Sequence, residues 1–175
     1  ALTSLCDNST NESFFLKPVV GADSSGTIRF TLDSNEIATA QRHLEQWLPE
    51  VDMMLQPYLK TVESFGETST IFINGQLTHA VRKIPKGGDY RVQDTFGATD
   101  MPYDANAAEL TLSKACLDFI TRKFALPLYA RFDFLHDEIG SVFLNEAELI
   151  EPSLFFHHGP EAATMLVEAL VNYSC

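Results

Sequence analysis

The chain has 175 residues, a formal net charge of −12 and a hydrophobic content of 45%. This length suits one domain or two small lobes with a packed core. The negative charge argues against a nucleic-acid partner, because phosphate backbones require lysine and arginine. No apolar run approaches the roughly 18 residues of a membrane span, and the first residues lack the pattern of a signal peptide. Three scattered cysteines are typical of free thiols in a reducing compartment, so the sequence predicts a cytoplasmic protein.

Apolar periodicity and breaker residues predict an ordered series of strands and helices. In chain order these are a leader or loop over 1–13, strands Phe14–Val20 and Thr27–Thr31, a helix from Asp33 or Ser34 to Pro49, strands Asp52–Leu59, Thr70–Ile73 and Gln76–Lys83, a loop over Phe96–Asn106, a helix over Ala107–Phe124, strands Tyr129–Phe134 and Ser141–Glu148, and a helix from Pro160. Asn74-Gly75 between two strands is the strongest hairpin signal in the chain.

Two predicted strands in the last third of the chain carry carboxylates that converge. Side chains alternate along a strand, so Arg131 shares a face with Asp133, and Glu146 shares a face with Glu148, about 7 Å away at Cβ. A hairpin can bring Asp133 beside the two glutamates. Such a trio needs a cation, and hard divalent ions such as Mg²⁺ prefer these oxygen ligands. From the carboxylates alone, a solvated acidic hairpin is an equal alternative.

Two segments carry lysine or arginine in positions that suggest an anionic ligand, although the chain as a whole is acidic. Lys17 lies within the apolar run Phe14–Val20, where its ammonium needs an anion to offset burial. The small loop 21–26 that follows can cover phosphates with its backbone N–H groups. A lysine that reaches the surface above an ordinary hairpin is the alternative. Further along the chain, the segment Arg82–Arg91 is rich in lysine, arginine and glycine.

In this order, the segments resemble the motifs of ATP-grasp enzymes, specifically the glutathione-synthetase-like branch. The resemblance rests on K-P-V-V-G-A-D-S-S-G-T from Lys17, on I-P-K-G-G-D-Y-R from Ile84, and on R-x-D from Arg131 followed by N-E-A-E-L-I-E-P-S-L from Asn145. It implies an α+β, ATP-grasp fold in which two lobes with antiparallel sheets enclose the nucleotide. The small lobe would span 14–55 and the large lobe 56–175.

The resemblance also implies roles for individual residues. It assigns two Mg²⁺ ions, with Mn²⁺ as an alternative, to Asp133, Glu146 and Glu148. It assigns ATP to Lys17 at the phosphates, to Gln56, Pro57, Tyr58 and Leu59 at the adenine edge, to Glu67 at the ribose and to Leu144. It assigns charge stabilisation to Lys83, Arg91 and Arg131. Lys83 stands where an arginine is usual in the family, and lysine cannot fork onto a carboxylate. For Gln56–Leu59, the residue types alone equally fit a strand end with a proline turn.

The function implied by the resemblance is ATP-dependent ligation of a carboxylate to an amine or thiol through an acyl phosphate. The expected partners are nucleotide and small-molecule carboxylate and amine substrates, without nucleic acid or membrane, and a homo-oligomer is left open. Family members carry a further N-terminal domain, so the chain is expected to be a fragment that is inactive by itself. The alternatives are a nucleotide-binding or regulatory ATP-grasp-like module without turnover, and a metal-binding hairpin domain unrelated to ATP.

The adjacent pair His157-His158 invites a metal interpretation. On an extended segment, neighbouring side chains point to opposite faces, so two such histidines seldom bind one ion. The chain also lacks cysteine or histidine at the spacing of common zinc sites. The sequence therefore predicts that both histidines are surface or loop residues.

Overall fold

A computed structural model describes residues 2–6, 11–21, 24–92 and 97–173 of the chain. Parts of the predicted leader, of loop 21–26 and of the loop predicted over Phe96–Asn106 lie outside these residues. The chain divides into two compact units, Ala1–Leu59 and Lys60–Cys175. Each combines helices with an antiparallel sheet, so the fold is α+β, as predicted. The lobe boundaries drawn from the sequence stay predictions. Within the described residues, no helix is both long and apolar enough to cross a membrane.

The elements of the first unit are α1 (Leu2–Cys6), β1 (Ser13–Pro18), β2 (Ile28–Thr31), α2 (Ser34–Trp47) and β3 (Met53–Pro57). Its described strands form an antiparallel sheet in the order β2-β1-β3. The central strand β1 buries Phe14, Leu16 and Pro18 and leaves the intervening residues half-buried. Lys17 lies on the half-buried side, in register with Met54 of β3. The prediction of a buried strand with a lysine in its middle therefore holds for one side of β1, where the apolar core forms.

The predicted leader contributes to that core. Leu2 and Cys6 of α1 are 2% and 0% exposed and pack in one cluster with Phe30 and Ala40. Residues four positions apart lie on the same face of a helix, so α1 buries both side chains together. The expectation of a loop is wrong over Leu2–Cys6.

The predicted start of α2 is confirmed. The Asp33 side chain accepts hydrogen bonds from the N–H groups of Asn35 at 2.9 Å and Glu36 at 3.3 Å. These donors would otherwise lack partners in the first helical turn. The Glu36 carboxylate accepts the N–H of Thr31 at 2.7 Å, which ties the helix to the end of β2.

The elements of the second unit are a short 3₁₀ helix (Lys60–Glu63), β4 (Glu67–Ile73), β5 (Gln76–Ile84), β6 (Thr99–Tyr103), α3 (Ala107–Lys123), β7 (Tyr129–His136), β8 (Val142–Glu148) and α4 (Pro160–Tyr173). Its described strands form an antiparallel sheet in the order β6-β5-β4-β7-β8. The predicted Asn74-Gly75 hairpin joins β4 to β5. Its φ angles of 47° and 80° are the left-handed pair that favours Asn-Gly at this turn.

Strand β6 falls inside the predicted loop Phe96–Asn106, so that prediction is wrong over Thr99–Tyr103. Pro102, which suggested a chain breaker, lies in register with Val81 of β5. Proline lacks an N–H donor and is tolerated on an edge strand, and β6 forms an edge of the described sheet. Pairing with β5 therefore outweighs the local preference for a loop.

The two faces of the second sheet differ in character. On the face under α3, Phe72, Ala130, Phe132 and Phe134 of the sheet form an apolar cluster with Leu117 and Ile120 of the helix. Its buried polar residues Thr68 and Thr70 hydrogen-bond to Glu109 and Ser113 of α3. The other face has an apolar end formed by Ile71, Ile73, Val81, Leu154, Phe155 and Ala162, the last from α4. Because side chains alternate along a strand, Glu67 and Ser69 of β4 continue this second face beyond the apolar cluster. Polar side chains therefore lie directly beside the core.

Gly66, which precedes β4, is expected to tolerate no side chain. Its φ is 90°, and an added Cβ would lie 2.1 Å from the carbonyl oxygen of Lys83. We expect Gly66→Ala to lower the free energy of unfolding by about 3 kcal/mol, the upper range for a strained backbone position. Urea unfolding followed by circular dichroism would measure the loss.

Gly88→Ala is the matched control for this substitution. Gly88 also has a left-handed φ, 85°, but an added Cβ would meet no heavy atom within 4 Å. Its replacement is expected to cost about 1 kcal/mol, from the φ angle alone. Equal losses in the two variants would contradict the assigned close approach at Gly66.

Candidate active site

Strand pairing in the second sheet sets ionisable side chains opposite one another. The cross-strand pairs are Glu67–Lys83, Ser69–Asp133, Asp133–Glu146 and Arg131–Glu148. Directly opposed residues in an antiparallel pair have Cβ atoms about 4.5–5.5 Å apart. The register therefore turns segments that are distant in sequence into one row of charges across β5, β4, β7 and β8.

The carboxylate of Asp133 lies at the centre of this row and is 0% exposed. Its Oδ1 accepts from Ser69 Oγ at 2.7 Å and from Arg131 Nε at 2.9 Å. Its Oδ2 accepts from Lys83 Nζ at 2.9 Å and from Arg131 Nη2 at 3.0 Å. A carboxylate offers about four lone-pair sites, so these contacts saturate Asp133.

Lys83 joins Asp133 to a second buried carboxylate. Its ammonium also forms an ion pair with Glu67, whose other oxygen accepts from Asn145 Nδ2 at 2.7 Å. Between β7 and β8 the register shifts, so that Asp133 opposes Glu146 while Phe134 opposes Leu144. Asn145 is the extra residue of this bulge. A bulge re-aims side chains, which lets the neighbouring residues Asn145 and Glu146 both face the charged row.

Arg131 connects the row to the chain that follows β8. Its guanidinium contacts Asp133, forms an ion pair with Glu148 and donates from Nη1 to the carbonyl oxygen of Ser153 at 3.0 Å. Arginine presents several donors in a fixed planar fork. One side chain therefore orients two carboxylates and fixes the path of the backbone beyond the strand.

The charges of the row shift the pKa values of its members. Burial by itself would raise the pKa of Asp133, but Lys83 and Arg131 outweigh burial and hold that pKa well below its ordinary value of 3.8. Burial would lower the pKa of Lys83, and the carboxylates of Asp133 and Glu67 reverse the direction and raise it. Burial raises the pKa of Glu67, against the effect of Lys83. At neutral pH, Asp133 is ionised and Lys83 is protonated.

Comparison with known proteins assigns a family to this arrangement. A family model described as "Prokaryotic glutathione synthetase, ATP-grasp domain" matches residues 4–135. The chain belongs to this family. The resemblance found in the sequence is confirmed.

Individual relatives agree with the family. The cycloserine biosynthesis protein DcsG of Streptomyces lavendulae is 32% identical over 169 residues, which cover 91% of this chain and 54% of that protein. The crystal structure of D-cycloserine synthetase DcsG matches with a TM-score of 0.82 at 24% identity, over 98% of this chain and 58% of that chain. The D-alanine–D-alanine ligase of Bacillus anthracis matches with a TM-score of 0.67 at 17% identity, over 98% and 57%. The fold is ATP-grasp, and the chain spans between 54% and 58% of the length of these relatives.

ATP-grasp ligases use ATP and Mg²⁺, and the acidic trio predicted from the sequence has suitable chemistry for this ion. One oxygen from each of Asp133, Glu146 and Glu148 lies within 4.8 Å of the others. Mg²⁺ prefers oxygen ligands and demands a near-octahedral arrangement. Because the lone pairs of Asp133 are saturated, Lys83 or Arg131 must release a contact before Asp133 can coordinate an ion.

The residues predicted to bind the nucleotide lie in both units. Lys17 is on β1, and Gln56–Leu59 forms the end of the first unit. The N–H of Tyr58 donates to the carbonyl oxygen of Ser13 at 2.9 Å, and its ring lies 3.8 Å from the guanidinium carbon of Arg29. These residues keep their predicted roles as proposals.

Three further predicted residues belong to the second unit. Leu144 precedes Glu146 by two positions on β8 and is 44% exposed. Glu67, predicted at the ribose, is 4% exposed and lies against Lys83. Arg91 follows β5 and forms an ion pair with Asp89 at 2.7 Å. This pair holds the pKa of Asp89 well below its ordinary range.

Two members of the charged row escaped the sequence analysis. Ser69 is one residue in a run of small polar side chains on β4, and its hydrogen bond to Asp133 follows from the β4–β7 register. Asn145 precedes Glu146 directly, and simple alternation would point it to the opposite face. Its position depends on the bulge, for which the sequence carries no clear signal.

Removal of the central charge is expected to destabilise the second unit. In Asp133→Asn the side chain keeps its shape, but Lys83 and Arg131 lose their shared anion. Loss of one partner of a buried ion pair costs about 3–5 kcal/mol, and we expect the lower end because Glu67 and Glu148 remain. Chemical unfolding at pH 7 would measure the difference.

A surface carboxylate and a pH series provide the controls. Asp118→Asn removes an exposed i,i+4 pair with Lys114 and is expected to change stability by less than about 0.5 kcal/mol. Because the pKa of Asp133 is depressed below 3.8 in the folded state, its stabilisation is complete above that value and is lost as the pH falls below it. The difference between wild type and Asp133→Asn should shrink over the same range. A constant difference from pH 7 to pH 3 would contradict the assignment.

Proposed function

We propose that the protein is an ATP-dependent ligase that joins a small-molecule carboxylate to an amine, or to a thiol, through an acyl phosphate. The observation that carries the proposal is the acidic trio Asp133, Glu146 and Glu148, with ligand oxygens within 4.8 Å of one another and with Lys83 and Arg131 beside it. Three carboxylates and two buried cations suit a site that holds a phosphate-bound divalent ion. Membership of the ATP-grasp family supports the same reaction class.

The acidic trio would hold Mg²⁺, one ion or two, with Mn²⁺ as an alternative. Bound there, the ion would neutralise phosphate oxygens and act as a Lewis acid. The chain's own contribution is to fix the ligands in place. Arg131 orients Glu148 and Asp133 through its planar fork, and the bulge at Asn145 aims Glu146 toward the same space.

The proposed reaction has two displacements. An oxygen of the substrate carboxylate attacks the γ-phosphorus of ATP, the bond between that phosphorus and the β–γ bridging oxygen breaks, and ADP leaves. The amine nitrogen then attacks the acyl carbon, the carbon–oxygen bond to phosphate breaks, and the nitrogen loses a proton. In such reactions positioning and charge stabilisation supply most of the catalysis. Lys83 and Arg131 are the proposed charge-stabilising residues, together with Arg91.

We further propose that Lys83 exchanges partners during the cycle. Without an ion, its ammonium holds the Asp133 carboxylate at 2.9 Å. Coordination at Asp133 would release this contact and leave Lys83 able to hold a phosphate oxygen as a point charge. Glu67 stays beside the ammonium in either state, because its ion pair with Lys83 does not involve the trio. For Lys17, Gln56–Leu59 and Leu144 we propose the nucleotide-binding roles that the family resemblance implies.

A cytoplasmic location stays a prediction, and a homo-oligomeric state stays open, beyond this proposal. The rival hypothesis is a module of the same fold that binds nucleotide without turnover. The two hypotheses differ in one measurable respect, since a full-length protein of this second kind would bind Mg-ATP and release no ADP with any acid and amine.

Loss of one carboxylate of the trio is expected to abolish ADP release. Glu146→Gln removes a charged ligand, and because metal ions stabilise transition-state charge by several kcal/mol, we expect a fall of about 100-fold or more. In the full-length protein, the assay follows Mg²⁺-dependent ADP release with a panel of amino acids and short peptides. Glu138→Gln, an exposed glutamate in the turn of the same hairpin, is the control and should leave the rate unchanged. Full turnover by Glu146→Gln would overturn the metal assignment.

Substitution of Lys83 should distinguish its ion pair with Asp133 from its proposed contact with a phosphate oxygen. Lys83→Met removes a competitor for Asp133, so we expect Mg²⁺ alone to bind more tightly. The same change removes a phosphate contact, so Mg-ATP should bind about tenfold more weakly, the loss of roughly one charge-assisted hydrogen bond. Calorimetry measures both affinities, and Lys86→Met in the neighbouring loop is the control. Changes of the same sign for Mg²⁺ and Mg-ATP would contradict the proposed exchange.

A further inference from the structure

A second cluster of metal-ligating side chains lies in the second unit, outside the acidic trio. Asp100 is on the edge strand β6, and His157 and His158 lie in the segment before α4. The Nε2 atom of His157 is 2.7 Å from Asp100 Oδ1, and Nε2 of His158 contacts the same oxygen. One ligand atom from each of the three residues lies within 4.8 Å of the others.

The two histidines face the same side, contrary to the expectation from the sequence. They lie in a tight turn and not on an extended segment. The N–H of His158 donates to the carbonyl oxygen of Phe155 at 2.9 Å, and the N–H of Gly159 donates to that of Phe156 at 3.2 Å. Successive side chains on a strand point to opposite faces. In this turn the angle between the two side chains is smaller, so both imidazoles reach Asp100.

Packing and hydrogen bonds fix the backbone of the segment that carries the two histidines, without any contribution from an ion. Leu154 and Phe155 are buried in the apolar end of the sheet face. Phe155 has a φ of 47°, a left-handed conformation that a bulky residue adopts only where surrounding packing enforces it. The Nε2 atom of His79 lies 3.0 Å from the carbonyl oxygen of Leu154, and Arg131 donates to that of Ser153. The imidazoles are therefore presented by a fixed backbone.

We infer that Asp100, His157 and His158 form a binding site for one divalent transition-metal ion of the zinc class. Two imidazoles and one carboxylate are ligands that zinc accepts, with bonds of about 2.0–2.2 Å, and three protein ligands leave a fourth position for water or another ligand. Ligand atoms around one tetrahedral ion lie about 3.3 Å apart by that geometry, so small side-chain adjustments suffice. The donor set differs from the oxygen-only trio, which suits Mg²⁺.

His79 supports this site without entering it. Its Nδ1 atom lies 2.9 Å from the hydroxyl of Thr78, and its Nε2 atom lies 3.0 Å from the carbonyl oxygen of Leu154.

An ion bound by Asp100, His157 and His158 would connect the edge strand β6 to the segment before α4. Since an ion that binds the folded state stabilises it by mass action, the second unit should gain thermal stability. This inference is independent of the proposed ligase function.

The test is calorimetric titration of the purified chain with Zn²⁺ in a large excess of Mg²⁺, which competes for oxygen-only ligand sets such as the acidic trio. We expect one saturable Zn²⁺ site and a higher melting temperature on its occupation. His158→Gln keeps an amide N–H that can reach Asp100 but removes the imidazole ligand. Its affinity for Zn²⁺ should fall by more than about tenfold, the smaller cost known for loss of an outer-shell partner. Asp100→Asn should do the same.

Two variants separate this site from other zinc binders in the chain. Glu146→Gln alters the acidic trio, and His43→Gln alters a histidine of the first unit. Both should bind Zn²⁺ with unchanged affinity, and circular dichroism confirms that each variant is folded. Absence of a saturable Zn²⁺ site in the wild type would overturn the inference. So would unchanged affinity in both His158→Gln and Asp100→Asn, or a loss of affinity in Glu146→Gln.

Discussion

The ionised carboxylate of Asp133, enclosed in the second sheet, constrains much of the structure around it. A buried charge is costly unless it is paired and hydrogen-bonded, and Asp133 meets this requirement through Ser69, Lys83 and Arg131. Each partner comes from a fixed register position on β4, β5 or β7. A shift of one residue in the pairing of β4 with β7 or with β5 would turn Ser69 or Lys83 to the opposite face, whereas Arg131 shares both the strand and the face of Asp133. The charge therefore selects the register of the strands as well as the composition of the site.

The same face of the sheet serves two purposes along its length. One end is apolar and is covered by α4 and by Leu154 and Phe155, while the other end carries the charged row. Arg131 lies where the two meet, since it contacts Asp133 and also Ser153. The segment beyond Ser153 then runs over the apolar end toward His157 and His158. Packing of the core thus determines where the chain after β8 can place its polar side chains.

The fold of this family is kept while most of its side chains change. The fold matches D-cycloserine synthetase with a TM-score of 0.82 at 24% identity, so the arrangement of strands persists while most side chains differ. The proposed chemistry asks for a small set of charges at defined register positions. Lys83, where the family resemblance leads one to expect arginine, meets the demand for positive charge but not for a bidentate contact. In the proposed ligase, this difference concerns the contact to the substrate carboxylate, because Lys83 still forms its ion pairs with Glu67 and Asp133.

The sequence by itself determined the local features: the Asn74-Gly75 hairpin, the start of α2 at Asp33 or Ser34, most strands and helices, and the spacing of the acidic trio. These depend on interactions between residues a few positions apart, which a linear pattern records. The tertiary structure decided the partners of Asp133, the bulge at Asn145, the strand β6 and the shared orientation of His157 and His158. Each of these depends on the pairing of segments far apart in the chain or on packing that enforces an unusual backbone angle. No local pattern encodes which distant strand will satisfy a buried charge, so the charged row becomes visible only when the strands are side by side.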